Sequence, residues 1–238
     1  MNSLKYLIIE RRQKRLIYSK HISRVMRIDE RKAYWDNRYS KEGKIWGELP
    51  SQSALYCLEL FKKYKIKNIL IPGSGYGRHT KLFSNNGYHV MGIEISETAF
   101  EISKKFDHLT NFLNSSVLEM EDFSEKFDAI FCFNTLHLFL KYDRLKFLNN
   151  CYNKLNPKGI VFFTAFSEKE DSIGKGKEKE KNTFESKPGR PTHYFTEVDL
   201  VEHFKDYTLI EQGLIEEQEN HGERGPHTHY LRYIFAQK

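Results

Sequence analysis

Cysteine is scarce. The chain has three, Cys57, Cys132 and Cys151, in 238 residues. They are far apart, odd in number and set among apolar neighbours, which excludes a disulfide framework and zinc-finger spacing and favours a reducing compartment, the cytoplasm. Long apolar runs are also missing, so no stretch approaches a membrane span and no membrane partner is expected. The apolar cluster near the beginning, Leu7-Ile8-Ile9, is too short for the h-region of a secretory signal. Residues 1–27 hold eight Lys or Arg and one acid, a pattern open to a transit peptide or to an ordinary basic helix. With 6 prolines and 14 glycines beside 39% hydrophobic and 29% charged residues, collagen-like and disordered classes drop out. The length fits one domain, or one domain with a helper segment. The formal net charge of +6 suits nucleic acid or acidic small molecules. Much of that surplus sits in residues 1–27, which weakens the case for a broad phosphate-binding face.

What remains is a regular alternation. Scattered aliphatics give residues 1–34 a loosely helical spacing, and residues 35–53 carry Trp35, Tyr39, Trp46 and Pro50. A helix is predicted over Ser53–Tyr64. Strand and helix then alternate: Asn68–Ile71, helix Gly77–Asn86, strand His89–Glu94, helix Ser96–Lys105 capped by Ser96, strand Asn111–Asn114, strand Phe127–Phe133, helix Arg144–Leu155 and strand Ile160–Thr164. Such a cadence predicts an α/β, doubly wound sheet of mostly parallel strands. Residues 167–190 break it. Ser167–Asn182 interleaves Lys with acids and two glycines and holds almost nothing apolar, so it reads as a mobile solvated loop, with a lid as the alternative. Thr196–Phe204 reads as a helix opened by Thr196, and Tyr207–Glu217 with His229–Ala236 as a C-terminal hairpin. The division expected is an N-terminal helical entry segment, 1–48, and a Rossmann-like domain, 49–238, with a charged flexible insertion at 167–190.

The strongest motif is Ile71-Pro72-Gly73-Ser74-Gly75-Tyr76-Gly77. An apolar strand runs into three alternate glycines and then into a helix. Glycines there allow a sharp turn and close approach of a ligand to the backbone. Glu94 stands seventeen residues after Gly77, at the end of the next strand, where a carboxylate can accept both ribose hydroxyls. A P-loop needs Lys-Ser/Thr after its last glycine, and none follows here. A dinucleotide fold wants Gly-x-Gly-x-x-Gly; here the third slot is Arg78 and the glycine comes one residue early.

On these residues, with Val90-Met91-Gly92-Ile93-Glu94-Ile95-Ser96, Phe127-Asp128-Ala129-Ile130 and Leu155-Asn156-Pro157-Lys158-Gly159, the chain resembles the class I S-adenosylmethionine-dependent methyltransferases over roughly residues 35–238. Tyr34-Trp35-Asp36-Asn37-Arg38-Tyr39 and Trp46-Gly47-Glu48-Leu49-Pro50-Ser51 resemble the entry segment of the thiopurine and tellurite-resistance branches. The resemblance implies a Rossmann-like seven-stranded sheet, mostly parallel with an antiparallel C-terminal strand. It also implies S-adenosylmethionine as cofactor and a small-molecule methyl acceptor. The family often has an acid after its third strand to hold the adenine amino group, whereas this chain has Asn114-Ser115-Ser116-Val117.

The resemblance assigns roles by position. Gly73, Ser74, Gly75 and Gly77 would pass under the methionine part and ribose. Glu94 with Ile95 would hold the ribose, and Ser116 and Val117 would line the adenine beside Ser115. Asn134 and His137 lie at the carboxyl edge of strand four, facing the transferred methyl, and His137 is the candidate base. Trp35, Tyr39 and Trp46 would cover the cofactor, since aromatic faces suit a sulfonium. Asp128 sits at the start of its strand and reads as structural. His227, His229 and Arg232 are candidate substrate contacts, with Arg224 beside them. His221, His227 and His229, near Glu219 and Glu223, are not assigned a metal: no cysteine joins them, and a third ligand would have to come across the hairpin or from His193. Three alternatives stay open: an RNA or protein methyltransferase, a non-catalytic S-adenosylmethionine-binding protein, and an NAD-dependent oxidoreductase, the last opposed by Arg78 and the hairpin. The strand-four end is not the Asn/Asp-Pro-Pro-Tyr/Phe of enzymes that methylate base or glutamine amino nitrogens. No feature of the sequence sets an oligomeric state.

Overall fold

The computed structural model describes residues 28–221 and 225–238. The basic stretch 1–27, Glu223 and Arg224 lie outside the described residues. Residues 28–42 are helical (α1) and are followed by α2 (Gln52–Phe61), β1 (Asn68–Pro72), α3 (Arg78–Asn85), β2 (His89–Glu94), α4 (Glu97–Phe106), β3 (Asn111–Asn114) and β4 (Phe127–Cys132). Then come α5 (Lys141–Lys154), β5 (Leu155–Phe166), β6 (Lys177–Glu180), β7 (Thr183–Lys187), β8 (Arg190–His193), α6 (Glu197–His203), β9 (Thr208–Asn220) and β10 (Pro226–Gln237).

Seven strands form one sheet in the order β3-β2-β1-β4-β5-β10-β9. β1 to β5 are parallel, while β10 runs antiparallel to both of its neighbours, β5 and the edge strand β9. This is the sheet that the resemblance implied. Its near-continuous apolar strands follow from burial on both faces. Because side chains alternate along a strand, Leu70, Ile130, Val161, Phe163 and Ile234 pack on one face, and Ile69, Ile71, Phe131, Phe162 and Phe235 on the other. Each fully buried side chain of this kind contributes about 1.5–3 kcal/mol.

Local signals set the helix starts. Ser51, Ser96 and Thr196 accept the backbone N–H groups of Ala54, Ala99 and Asp199 at 3.2, 3.1 and 3.2 Å. Asp128 does what its place suggested: its carboxylate accepts the N–H groups of Lys67 and Asn68 at 3.0 Å and the Asn156 amide at 2.8 Å, tying the strand bottoms together.

Two expectations need correction. β5 begins at Leu155, directly after α5, and α5 itself begins three residues earlier than its apolar pattern indicates. More consequential, the segment read as a solvated loop holds a three-stranded antiparallel sheet, β6-β7-β8. Its charge is concentrated in β6, where Lys177, Glu178 and Lys179 are exposed. Thr183, Thr192 and His193 are buried, and Phe184 packs against Tyr194.

Candidate active site

The carboxyl ends of β1, β2 and β4 open onto one cavity of about 490 Å³. That is where open α/β sheets bind ligands, and the volume suits a small molecule. All the candidate site residues line it except Gly77 and Arg232.

The floor is the glycine loop. Gly73, Gly75 and Gly77 have φ of +71°, +57° and +93°, a region that side chains other than glycine's resist. A Cβ on Gly73 would run into the Thr135 side chain, and one on Gly75 would come within 2.8 Å of the Tyr39 hydroxyl. Gly77 stands one step below the cavity as the cap residue of α3. The Gly73 and Ser74 N–H groups both donate to the Ile93 carbonyl, at 2.8 and 3.0 Å, pinning the loop to β2. The Ser74 hydroxyl is buried beside the cavity with no hydrogen-bond partner.

Glu94 closes β2 and is 5% exposed. One carboxylate oxygen accepts the Gly75 N–H and the other the Ser96 N–H, each at 2.8 Å. A carboxylate offers about four lone-pair sites, so with the N–H groups of Gly75, Ser96 and Ile95 engaged it keeps room for one further donor. Burial pushes the carboxyl up to about 7, outweighing the bonds from Ser96, Gly75 and Ile95 that favour the charged form.

The entry segment forms the roof. Trp35, Tyr39, Trp46 and Tyr76 make an aromatic cluster, with Trp46 stacked on Tyr76 at 6.2 Å and 12°. Asp36 anchors it to α4 by accepting the Ser96 hydroxyl at 2.7 Å and the Thr98 N–H at 3.2 Å. The adenine-side candidates, Ser116 and Val117, are both buried, and the Ser116 hydroxyl accepts the Leu118 N–H at 3.2 Å.

At the end of β4, Asn134 takes a left-handed turn, φ +51°, held by Thr164, which accepts its N–H and donates to its side-chain oxygen, both at 3.1 Å. His137 is buried, stacked on Phe166 at 4.2 Å, and its Nδ1 accepts the Phe166 N–H at 3.4 Å. Burial, with Arg190, His229 and His193 adding to it, pushes its pKa well down. The ring is neutral with its proton on Nε2, and so is arranged to donate rather than to accept. That departs from the expected base.

The far wall comes from the insertion and the hairpin. Arg190, Thr192, Tyr194, Glu219, His221, His227 and His229 all face the cavity. Arg190 Nε is buried without a hydrogen-bond partner. Arg78, the residue that breaks the dinucleotide pattern, pairs with Glu219 at 2.9 Å and donates to the Trp46 carbonyl at 2.9 Å, joining α3, β9 and the entry segment. Burial, with His227 next, pushes the His221 pKa down to about 4.

Arg232 turns away. It lies three residues from His229 and so on the other face of β10. Its Nε and one terminal nitrogen grip Glu168 at 2.9 and 2.5 Å, and the other lies 3.5 Å from Glu197. His193 is likewise occupied, between the Thr183 hydroxyl at 2.7 Å and Asp199 at 2.6 Å. No role was expected for Tyr76, Arg78, Arg190 and Tyr194, which also line the cavity. For Arg190 and Tyr194 the signal was there in Thr183-Phe184 and Pro191-Thr192, apolar or β-branched pairs inside a charged stretch.

Residues 70–163 match the family model described as a methyltransferase domain. The chain is similar to a glycine/sarcosine N-methyltransferase of Halorhodospira halochloris, 28% identical over 134 residues, covering 53% of this chain and 46% of that protein. It is also similar to a probable thiol methyltransferase 2 of Arabidopsis thaliana, 35% identical over 111 residues, covering 44% of this chain and 49% of that one. The matches to these two relatives thus span about half of their length. Among solved structures, the 1,6-didemethyltoxoflavin-N1-methyltransferase of Burkholderia thailandensis, with bound 1,6-didemethyltoxoflavin and S-adenosylhomocysteine, superposes with a TM-score of 0.63 at 20% identity, covering 92% of this chain and 89% of that one. Over residues 70–163 the chain matches a methyltransferase-domain model, and its overall fold is that of the solved methyltransferase structure.

Proposed function

We propose that this protein is an S-adenosylmethionine-dependent methyltransferase acting on a small-molecule acceptor in the cytoplasm. The observation that carries the reading is the union of the glycine loop with Glu94, joined by the 2.8 Å bond from Gly75, at the mouth of a cavity of about 490 Å³. The residues present fit this cofactor. Glu94 keeps room for a further donor such as a ribose hydroxyl, the Ser74 hydroxyl lacks a partner, and the loop leaves open the space that a Cβ would fill. Bound there, S-adenosylmethionine would supply an electrophilic methyl group on a sulfonium.

The chain's own residues would do the rest. Trp35, Tyr39 and Trp46 would present aromatic faces to the positive charge and keep water away. Thr135 and Asn134 would fix the β4 edge against the loop. His137 would donate from Nε2 to an acceptor atom and orient it, a positioning role that needs no titration near neutral pH. Alignment of this kind supplies up to about 7–11 kcal/mol of a displacement barrier. The enclosing walls, α1 on one side and the β6-β7-β8 sheet on the other, support a small acceptor over a polymer. The three free cysteines, all buried, support a reducing compartment. Among the described residues, no helix is long and apolar enough to cross a membrane.

Calorimetric titration of the purified protein with S-adenosylmethionine, S-adenosylhomocysteine and NAD tests the cofactor. Binding of the first two and not the third is expected; silence for both removes the reading, and NAD binding would replace it with an oxidoreductase. Transfer of a labelled methyl to thiols or small amines, but not to RNA or protein, is the expected acceptor pattern.

A further inference from the structure

Three histidines on the acceptor side of the cavity turn nitrogen atoms toward one another. His221 directly follows β9, and His227 and His229 are alternate residues of β10, so their side chains share a face. One ligand atom from each lies within 4.8 Å of the others.

Their outer partners fix the proton positions. His227 Nδ1 is 2.6 Å from the Gly225 carbonyl oxygen, which can only accept, so this nitrogen carries the hydrogen. His229 Nδ1 is 3.0 Å from one oxygen of Glu170, whose other oxygen takes the Tyr230 N–H at 2.5 Å. Glu170 is a buried carboxylate and also only accepts. Both Nε2 atoms therefore present lone pairs, and they face each other at 3.1 Å. Two lone pairs at that distance repel unless a positive centre lies between them. A shared proton would satisfy these two nitrogens alone, and the buried Nε2 of His221 would still have no partner. A metal ion satisfies all three. Two Zn–N bonds of about 2.0–2.1 Å at a tetrahedral angle place their nitrogens about 3.3 Å apart, close to the 3.1 Å between His227 and His229; the His221 ligand atom lies within 4.8 Å of them, and closing the set requires its ring to turn inward.

We propose that His221, His227 and His229 form a site for one divalent transition-metal ion of the zinc type, with a further coordination position open to the cavity. Imidazole nitrogens suit zinc and its late first-row neighbours. The Glu170–His229 and Gly225–His227 bonds are the outer contacts that orient metal-bound histidines. Neighbouring rings hold the set in place: Phe166 stacks on His229 at 4.9 Å, and Trp46 meets His221 edge-on at 5.9 Å. The cations nearest His221 are Arg38 and Arg78, and each is paired, with Glu42 at 3.2 Å and Glu219 at 2.9 Å. Three protein nitrogens with an open position resemble a catalytic zinc site rather than a structural one.

The site is tested on the full chain, freed of metal with a chelator and titrated with cobalt(II) alone. One equivalent per chain is expected, with the visible absorption of four-coordinate cobalt, displaced by zinc(II). His221→Ala and His229→Ala should each lose that absorption, and Glu170→Gln should weaken binding about 10–100-fold. Unfolding curves of the metal-free variants establish that they are folded. Failure of the folded wild-type chain to bind cobalt or zinc stoichiometrically would overturn the proposal, as would binding that survives in both histidine variants. The readout involves neither cofactor nor transfer: a chain that binds cobalt but not S-adenosylhomocysteine keeps the metal site and loses the methyltransferase reading, and the reverse result does the opposite.

Discussion

At the residue scale, Glu94 holds two opposed tendencies. Burial raises its carboxyl to about 7 from an ordinary 4.5, yet a ribose would need it ionised to accept a hydroxyl. Because the folded value lies above the unfolded one, folding takes up a proton between these two pH values. This group's contribution to stability is full below about pH 4.5 and is lost as pH rises through 7. Ligand affinity runs the other way. S-adenosylhomocysteine should bind about tenfold more weakly at pH 6 than at pH 8, and Glu94→Gln should bind weakly at both with a flat profile. A wild-type profile as flat as the variant's would remove the ribose assignment. Glu94→Ala should cost about 1.5–3 kcal/mol of binding, the usual worth of a hydrogen bond to a charged group. Gly73 offers a second test. Its φ of +71° and the Thr135 side chain against it mean that Gly73→Ala should lose about 2–4 kcal/mol of unfolding free energy. Denaturant melts of the purified variant measure this, and a loss below half a kilocalorie would show that the loop relaxes freely.

At the scale of elements, the entry helix is fastened to the domain by polar contacts that its sequence pattern does not reveal. Arg31 on α1 meets Asp143 at the start of α5 at 2.5 Å, with both side chains nearly excluded from water. Asp143→Ala strands a buried cation, and a loss of about 3–5 kcal/mol is expected. Replacing both partners by apolar residues, Arg31→Met with Asp143→Leu, should recover most of it. Equal losses in the single and double variants would show that the pair's shape matters rather than its charge. Elements whose identity rests on local chemistry were legible in the sequence: the strand–glycine–helix passage at Gly73–Gly77, the caps Ser96 and Thr196, and the two apolar faces of β4 and β5. The β6-β7-β8 sheet was not. Its Lys and Glu residues outnumber Thr183, Phe184, Pro191 and Thr192, which stand as adjacent pairs, and its strands are only four or five residues long, so no period of two shows.

At the scale of the whole molecule, the site draws on residues that are remote in sequence. Cofactor-side residues near 73–75 and 94 could be read because each sits at a strand end in a regular alternation. The hairpin side was read only in part: His227 and His229 line the cavity as expected, but which side chains meet there depends on where the hairpin register falls. Pairing of Asn220 with Pro226 leaves His221 beside His227 and His229, while His193, an equal candidate on paper, is consumed by Thr183 and Asp199. The sheet order has a further consequence, in the timing of assembly. β10 lies between β5 and β9, antiparallel to both, so during synthesis five strands can pair as they emerge while the β5 edge waits. Until residues 226–237 arrive, an apolar strand stands open to any other chain, β9 has nothing to join, and the cavity lacks a wall. A polypeptide released at residue 225 should therefore be found in the insoluble fraction, bound to chaperones rather than to S-adenosylhomocysteine, and adding the missing strand as a separate peptide should restore solubility before it restores ligand binding. Completion of the sheet also completes the hairpin wall of the site, so a prematurely released chain should not persist as a soluble, half-built binder.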